Sequence, residues 1–468
     1  MTITEKMAEN LVDLQFETLP YPVIHEAKLC LLDTLSCIFA GAQTKEIKTL
    51  SKEFSLSTGD QIAPLIGMEN RSSLLYAAIL NGSMAHAVEM DDVHKEAKSH
   101  AGAVVIPAAL TYGAVVNCSG KDLLTSIVVG YEAMLRIGKG INASKHRKKG
   151  WHATGTCGTF GAAAAVGSLS NFDVQQMVNA LGLAGTQSSG LWAFTANGAN
   201  SKMFHAGSAS ASGILSAIMV NGGLTGSNQI LEAEDGGLYK GSSSDYSYDV
   251  VTEKLNGRFY IENITRKPYA CCRSMHPSIE AALKIKESKI NPDEIVSIKV
   301  KTYEVAKIQC GYTNNPQNST DAKFSIPYGV AVALIDGKAL INQFTEERIQ
   351  DIRILRLAQK VDVIIDEKFE RSYPKNWGCS LEVKTNDKTY IKEIINAKGD
   401  PTNPLTLNEL EEKFLYLSKN LLGIPQASSI VAAIRNLETV EDITELLALC
   451  KPLRSSHYTK GRGANDIY

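Results

Sequence analysis

The sequence predicts a mainly α-helical protein in which a large all-helical domain is joined to a smaller α+β domain. Three observations support this fold class. Apolar residues recur every three or four positions through the first half of the chain, strand-like alternation follows residue 266, and helical spacing returns near the C-terminus. We therefore expect the helical domain at residues 1–265 and 395–468, and the α+β domain at residues 266–394.

The helices of the first part are predicted from apolar spacing. Residues 24–38 place their apolar side chains on one helical face, and Pro22 suits the first turn. Residues 101–116 form the longest apolar stretch, but it is interrupted by Pro107 and is too short to span a bilayer, so we expect a buried helix there. Further apolar stretches rich in Ala and Gly predict helices at 74–88, 123–137, 159–168 and 209–219.

The second part of the chain has a different pattern. Residues 296–300 and 381–385 alternate apolar and polar side chains, which predicts two half-buried strands. Residues 327–337 and 347–360 between them have helical spacing. From Leu407 onward one helical face is apolar again, so we expect the end of the chain to pack against the first domain.

Composition restricts the class of function. The 468 residues include 48 Lys and Arg against 50 Asp and Glu, and the net charge of −2 attracts neither nucleic acid nor an anionic membrane. The first ten residues lack the basic and apolar regions of a secretory signal. Nine cysteines without CxxC spacing are typical of reduced thiols. These features predict a cytoplasmic protein that acts on a small molecule.

The common cofactor motifs lack either their residues or their structural context. The GxGxxA letters that begin at Gly138 follow a helical segment, whereas dinucleotide binding requires a strand there. Neither a P-loop nor an HExxH motif occurs, and His86, His94 and His100 lack compact metal-ligand spacing. We therefore expect no nucleotide, no metal and no other cofactor.

Four segments combine ionisable residues with glycine and small apolar neighbours, a composition that favours a concave site built from helix ends and turns. The first segment, residues 86–107, ends in an apolar helix that His100 directly precedes, where a neutral imidazole can act as general acid or base. A solvated acidic loop is the alternative interpretation. The ionisable residues of this segment before the helix include His86, Glu89, Asp91, Asp92, His94 and His100.

The next two segments add imidazoles and a lysine. His152 follows Trp151 and precedes a helix rich in Gly and Ala, although a core histidine bonded to the backbone explains it equally. Lys202 and His205 are three residues apart and share one helical face. Because a lysine in apolar surroundings is costly unless it is paired, this segment favours a carboxylate ligand.

The fourth segment opens the smaller domain with four cationic or imidazole side chains in eleven residues: Arg266, Lys267, Arg273 and His276. A surface patch is one interpretation. Beside Lys202 they favour a clamp for two or more carboxylates, since Arg binds a carboxylate through two hydrogen bonds. Tyr328, on an apolar helix, is either a substrate contact or a core tyrosine.

The chemistry that these residues imply is removal of a proton from a carbon next to a carboxylate. Such a C–H group is weakly acidic, so cations must neutralise the charge that develops while a positioned base takes the proton. Histidine and lysine side chains suffice for this reaction.

The motifs resemble the MmgE/PrpD family along nearly the whole chain. The resemblance implies a large helical domain, a smaller α+β lid domain with the site between them, a homodimer, and action on small polycarboxylates without a nucleotide. The matching stretches are LLDTLSCIFAGA from Leu31, NGSMAHAVEMDD from Asn81, GWHATGTCGTFGAAAA from Gly150, SKMFHAG from Ser201, KPYACCRSMHP from Lys267 and GDPTNPLT from Gly399.

The resemblance also implies site positions. Glu89 stands where the family's decarboxylases have aspartate, and Val93 stands where they have threonine. Together with our interpretation of the residues, we expect catalytic roles for His100, His152, Lys202, Asp91 and Asp92, with one of the two aspartates orienting a histidine. We expect substrate contacts from Glu89, Val93, His205, Lys267, Arg273, His276 and Tyr328.

The function expected is therefore that of a cofactor-independent lyase, a dehydratase or decarboxylase of a citrate- or aconitate-like acid. An epimerase of an iminodisuccinate-like dicarboxylate is the alternative reaction, because it needs the same acid and base on opposite faces of one carbon. A non-catalytic binding protein with the same fold is the alternative of another class.

Overall fold

The helices of the first 254 residues form the larger part of the fold. The computed structural model describes residues 1–55, 62–254 and 258–453. Up to residue 254 the helices are α1 Ile3–Val12, α2 Tyr21–Gly41, α3 Lys45–Phe54, α4 Leu74–Ala87, α5 Gly102–Val116, α6 Gly120–Gly140, α7 Ala143–Lys148, α8 Ala153–Thr156, α9 Gly158–Leu169, α10 Val174–Gly185, α11 Lys202–Asn221, α12 Leu238–Ser242 and α13 Asp249–Thr252. The long helices predicted from apolar spacing are thereby confirmed.

Two short antiparallel ladders interrupt this helical part, which we expected to contain helices alone. Strands β1 Ile62–Pro64 and β2 Arg71–Ser73 form one ladder, and β3 Val93–His94 pairs with β4 Ile264–Thr265 in the other. Runs of two or three residues are too short to show a period of two, so the sequence carried no strand signal there. The second ladder lies beside the candidate site.

The smaller unit contains a four-stranded sheet in the order β6-β5-β7-β8. Strand β5 is parallel to β6 and antiparallel to β7, and β7 is antiparallel to β8. The strands are β5 Ile295–Thr302, β6 Val361–Ile365, β7 Cys379–Thr385 and β8 Thr389–Ile394. The helices are α14 His276–Lys286, α15 Glu304–Cys310, α16 Ser319–Lys323, α17 Ile326–Asp336, α18 Glu346–Ile349, α19 Ile352–Ala358 and α20 Glu367–Ser372.

The prediction of one continuous helix over residues 347–360 is wrong in detail, because the chain forms two short helices there, α18 and α19. Asp351 separates them: its carboxylate accepts a hydrogen bond from the backbone N–H of Arg353 at 2.8 Å, and so caps the second helix. Strand β6 then follows directly. The strands predicted over residues 296–300 and 381–385 are confirmed as parts of β5 and β7.

The C-terminal helices return to the larger part, as the apolar face from Leu407 predicted. They are α21 Leu407–Arg435 and α22 Thr444–Leu449, and α21 packs against α2. Lys413 joins α21 to the larger part of the fold: its buried Nζ donates hydrogen bonds to Asp33 Oδ1 at 2.6 Å and to the carbonyl oxygen of Met90 at 2.6 Å. The exact domain limits at 265 and 394 stay a prediction, and residues 454–468 of that prediction lie outside the described residues.

Helix α11 lies in the centre of the larger part. Among the described helices it alone is long and apolar enough to cross a membrane: an 18-residue stretch of it has a mean hydropathy of 1.3, and 56% of that stretch is buried inside the protein. It packs between α4 and α9 instead. Contact with α4 is close because glycines face each other: a Cβ on Gly207 would lie 2.1 Å from the carbonyl oxygen of Ile79, and one on Gly82 would lie 2.8 Å from Gly207 Cα.

We expect Gly207→Ala to destabilise the fold, because the added methyl group has backbone on its far side and must push α4 and α11 apart. Overpacking of this kind costs about 1–3 kcal/mol or more. Gly222→Ala is the matched control at the end of the same helix, where the nearest atom would be 3.4 Å away. Urea unfolding should show a lower midpoint for Gly207→Ala than for Gly222→Ala; equal midpoints would show that the helices are not in close contact.

Candidate active site

The loop between α4 and α5 supplies most of the candidate site. It is anchored by the β3–β4 ladder and by a bridge between His94 and Ser99. Glu89 has a φ of 57° and Lys98 a φ of 47°, in the left-handed region that non-glycine residues rarely adopt. Such conformations cost on the order of 1–3 kcal/mol each and occur preferentially at functional sites. The surrounding contacts therefore hold this loop in one conformation.

The carboxylate of Asp91 lies at the centre of the cluster and binds two imidazoles. Its Oδ2 lies 2.7 Å from His86 Nδ1 and 3.0 Å from His100 Nδ1. His100 Nδ1 also lies 2.6 Å from the backbone carbonyl oxygen of Asp92. Since both rings are held through Nδ1, their Nε2 atoms remain to exchange protons, and buried His86 Nε2 has no partner among the described residues.

Burial determines the protonation of this group. It lowers the pKa of His100 to about 4, although the charge of Asp91 opposes the shift. A neutral His100 is therefore the form present near pH 7, as a general base requires. Burial opposes ionisation of Asp91, but attraction from His86, Lys267 and His100 outweighs it and keeps the pKa of Asp91 well below its usual value, in an acidic range where His100 is protonated.

Two buried lysines from distant segments meet this loop. Lys202, the first residue of α11, pairs with Glu89 Oε1. Lys267 follows β4, and its Nζ lies 3.5 Å from Glu89 Oε2 and 3.6 Å from Asp91 Oδ1. The charges of Asp91 and Glu89 raise the pKa of Lys267 although burial alone would lower it. Both lysines thus already have carboxylate partners within the protein.

A second pair of histidines faces the first. His152, at the start of α8, has its Nδ1 3.0 Å from Nδ1 of His205. Only one nitrogen of that contact can donate, so the other belongs to a neutral ring. Burial is the main cause that lowers the pKa of His205 to about 4 and that of His152 well below its usual value. The His152 ring centroid lies 6.5 Å from that of His100.

Asp91 rather than Asp92 contacts the histidines through its side chain. Asp92 is fully buried against the helical core, where Oδ2 accepts from the Tyr131 hydroxyl at 2.6 Å and Oδ1 from the Gly102 backbone N–H at 3.0 Å. Burial raises the pKa of Asp92 to about 7. The carboxyl group of Asp92 therefore holds the start of α5, and its carbonyl oxygen holds His100.

The cleft over this cluster has a cavity volume of about 60 Å³ and lies where the two parts of the fold meet. Lys202 and Glu89 also border a second, larger cavity of about 360 Å³ that His86 lines as well. The first cleft is lined by Glu89, Val93, Lys98, His100, Ala143, Arg147, Trp151, Ala153, Trp192, Lys202, Cys272, Arg273, Ser274, Val305, Gln309, Phe324, Tyr373 and Trp377. Val93 and Arg273, predicted from the sequence, are therefore placed at the cleft.

Two predicted contacts lie elsewhere. The Tyr328 hydroxyl donates to the carbonyl oxygen of Gln343 at 2.6 Å, inside the core of the smaller unit and outside the lining of both clefts. His276 is fully buried and bonds the carbonyl oxygen of Cys271 at 3.3 Å. Helix periodicity cannot distinguish a core-facing side chain from a cleft-facing one when the helix is apolar on all sides. The structure thus does not bring these two residues to the cluster.

The site contains residues that were assigned no role from the sequence, including His86, which was named only as an ionisable residue of the first segment. His86 stands five positions before Asp91, at the end of α4, and this spacing around a helix end was the available signal. Lys98, Arg147 and Trp192 reach the cleft from loops and a short helix, and the sequence offered no signal for their proximity.

A metal ion fits this cluster poorly. Potential ligand atoms of His86, Asp91 and His100 lie within 4.8 Å of one another. However, Asp91 Oδ2 is shared by both Nδ1 atoms, and the Lys267 ammonium faces its other oxygen at 3.6 Å. A divalent cation there would be repelled by that ammonium. The geometry favours an acid–base cluster.

Comparison with known proteins identifies the family. Residues 5–250 match the MmgE/PrpD N-terminal domain and residues 269–439 match the MmgE/PrpD C-terminal domain, so the chain belongs to the MmgE/PrpD family. It is 26% identical to the cis-aconitate decarboxylase of Aspergillus terreus (strain NIH 2624 / FGSC A1156), over 97% of each chain.

Two further relatives show how broad the similarity is. The chain is 25% identical to the cis-aconitate decarboxylase of Homo sapiens, covering 96% of this chain and 95% of the relative. It is 22% identical to the mitochondrial 2-methylcitrate dehydratase of Yarrowia lipolytica (strain CLIB 122 / E 150), covering 84% and 79%. Relatives with both reaction types therefore align along most of the chain.

We expect Asp92→Asn to change how stability depends on pH. The pKa of Asp92 is about 7 in the folded chain against an ordinary 3.8, so between these values the folded state binds more protons than the unfolded state. Stability due to this group therefore falls as pH rises through that window.

Asp92→Asn lacks this pH-dependent loss of stability. The difference between its unfolding free energy and that of the wild type should therefore increase from pH 4 to pH 7, on top of a constant offset for the altered hydrogen bonds. Urea unfolding at several pH values measures it. Asp235→Asn, at an exposed position, is the control and should give a difference independent of pH. The same flat result for Asp92→Asn would contradict a raised pKa.

Proposed function

We propose that this protein is a cofactor-independent lyase that acts on a small di- or tricarboxylate by removing a proton next to a carboxylate. One observation carries the proposal: a neutral His100 imidazole is held at Nδ1 by the Asp91 carboxylate, beside the ammonium groups of Lys202 and Lys267. The relatives named as a decarboxylase and a dehydratase support the lyase class, since both names describe lyases.

In this proposal His100 removes the proton through Nε2. The Nδ1–H group donates to the Asp92 carbonyl oxygen at 2.6 Å, which orients the ring, and the Asp91 carboxylate 3.0 Å from Nδ1 stabilises the imidazolium that forms. Lys202 and Lys267 stabilise the negative charge that develops on the substrate carboxylate. Glu89 helps keep both lysines charged while they are buried. Proton removal thus occurs where positive charge is already in place.

His152 is the candidate general acid. Its buried ring lies 6.0 Å from the His86 ring and 6.5 Å from the His100 ring, centroid to centroid, and His205 holds its Nδ1. Trp192 packs edge-on against the His152 ring at 5.1 Å between centroids and limits access of water. Burial keeps His152 neutral, so it must take up a proton before it can donate one. In a dehydration, the proton that His100 removes from carbon passes through His152 to the leaving hydroxyl group, which departs as water. After loss of CO₂, the carbon takes its proton from solvent through the same ring.

Epimerisation is the second candidate, because it needs two proton-exchanging groups near one carbon, and the His100 and His152 ring centroids are 6.5 Å apart. The cytoplasmic location, the homodimer and the action on a polycarboxylate remain part of the proposal. A non-catalytic binding protein would retain the clamp but turn over no substrate.

The reaction class can be determined by incubating the wild-type protein with citrate, aconitate, methylcitrate and aminodicarboxylates in deuterated water and recording NMR spectra. A lyase gives new alkene signals or loses a carboxylate. Incorporation of deuterium without net conversion would instead favour epimerisation. If no acid in the panel exchanges or reacts, the enzymatic proposal is contradicted for these substrates.

We expect His100→Asn to lower kcat by about 10²–10⁴-fold, which is the usual contribution of a general acid–base side chain. Asparagine keeps a hydrogen-bond donor near Asp91 but cannot take up the proton. His25→Gln, on α2 far from the cleft, is the control and should retain full activity. Steady-state kinetics with the best acid of the panel measures both, and an unchanged kcat in His100→Asn would remove this residue from the mechanism.

A further inference from the structure

The two lysines at the centre of the site already contact acidic side chains of the protein, which offset part of the positive charge that a substrate would bind. Lys202 pairs with Glu89, and Lys267 lies between Glu89 and Asp91. The cleft has other cations with no acidic partner within ion-pair distance among the described residues, namely Lys98 and Arg147. A polyanionic substrate therefore gains most from these outer cations.

We propose that Arg147 and Lys98 form an outer anion subsite that binds the substrate carboxylate farthest from the reacting carbon. The proposal rests on the proposed function, because it assumes a substrate with at least two carboxylates. It assigns substrate selection to residues outside the histidine and lysine cluster.

Arg147 is held ready for such a ligand. It lies near the end of α7, with its guanidinium carbon 4.2 Å from the centroid of the Trp192 ring. Its Nε is buried and has no hydrogen-bond partner among the described residues. Stacking leaves the edge of a guanidinium free for a bidentate carboxylate, and a buried donor without a partner is costly until one is supplied.

Lys98 lies close enough to Arg147 for the two positive charges to interact. Its Nζ is 4.8 Å from the centroid of the Tyr373 ring, and its backbone is in the left-handed region. Burial and, to a smaller extent, the positive charges of Arg147 and Lys148 together lower the pKa of Lys98 to about 8. An anion between Lys98 and Arg147 would replace this repulsion with two attractions.

Trp192 connects the outer subsite to the catalytic cluster. Its ring system contacts both the Arg147 guanidinium and, edge-on, the His152 ring. Arg273 lines the same cleft, is 3% exposed, and has Nε and Nη1 without partners among the described residues. The cleft thus offers unpaired donors beyond the reacting position, which suits a substrate with separated carboxylates and disfavours a monocarboxylate.

The test compares Arg147→Met and Lys98→Met with Lys148→Met, an exposed lysine beside Arg147 that serves as the matched control. We expect each of the first two variants to raise KM for the best polycarboxylate about tenfold or more, the loss of one charge-assisted contact, with kcat changed much less. Arg147→Lys should recover part of the affinity. The control should match the wild type in both constants.

A second readout measures binding without turnover. Cys272 lines the cleft and, of the nine cysteines, it alone is not buried, so its alkylation by iodoacetamide reports occupancy. Propane-1,2,3-tricarboxylate should slow this labelling in the wild type and Lys148→Met, and much less in Arg147→Met and Lys98→Met. Mass spectrometry locates the label, and circular dichroism identifies any variant that fails to fold, in which case the other variant decides.

The outcomes separate the two proposals. If the wild type turns over a polycarboxylate and Arg147→Met and Lys98→Met match Lys148→Met in KM and in protection, the outer subsite is wrong and the proposed function stands. If the wild type neither turns over nor is protected by any polycarboxylate, both proposals are overturned. Raised KM with weaker protection in Arg147→Met and Lys98→Met supports the subsite.

Discussion

The site depends on the mutual neutralisation of two acids and two ammonium groups inside the protein. Glu89, Asp91, Lys202 and Lys267 are all buried, and each alone would lose several kcal/mol of hydration on folding. Their contacts offset that cost, and leaving any one unpaired would be strongly unfavourable. The cluster therefore forms only if three distant segments, the α4–α5 loop, the start of α11 and the residue after β4, meet at one place.

The same neutralisation has a chemical consequence. Because Asp91 and Glu89 raise the pKa of Lys267 and burial lowers that of His100, the site holds positive charge and a free base side by side at neutral pH. A substrate carboxylate that enters must share the lysines with Glu89 and Asp91. The cations of the cleft that have no acidic partner, Lys98 and Arg147, are therefore important for binding it.

The packing of the helical part positions these groups. Gly82 and Gly207 allow α4 and α11 to approach closely, so Lys202 at the first residue of α11 lies opposite Glu89 after the last turn of α4. The β3–β4 ladder aligns Lys267 with the same loop, and Lys413 binds the Met90 carbonyl from α21. Three separate packing contacts thus constrain one loop whose backbone includes two residues in the left-handed region.

The helices, two strands of the sheet and the kinds of residue in the site follow from the sequence, because apolar periodicity and helix-start patterns are local properties. His100, His152, Lys202 and Lys267 could be selected in this way, since each adjoins a motif rich in small residues. Only the tertiary structure decided which charges are paired. Glu89 and Lys202 are 113 positions apart, and their contact depends on helix packing that no local pattern encodes. For the same reason Arg147 and Lys98 were found as unpaired cations only when the cleft was seen, and Tyr328 was found in the core.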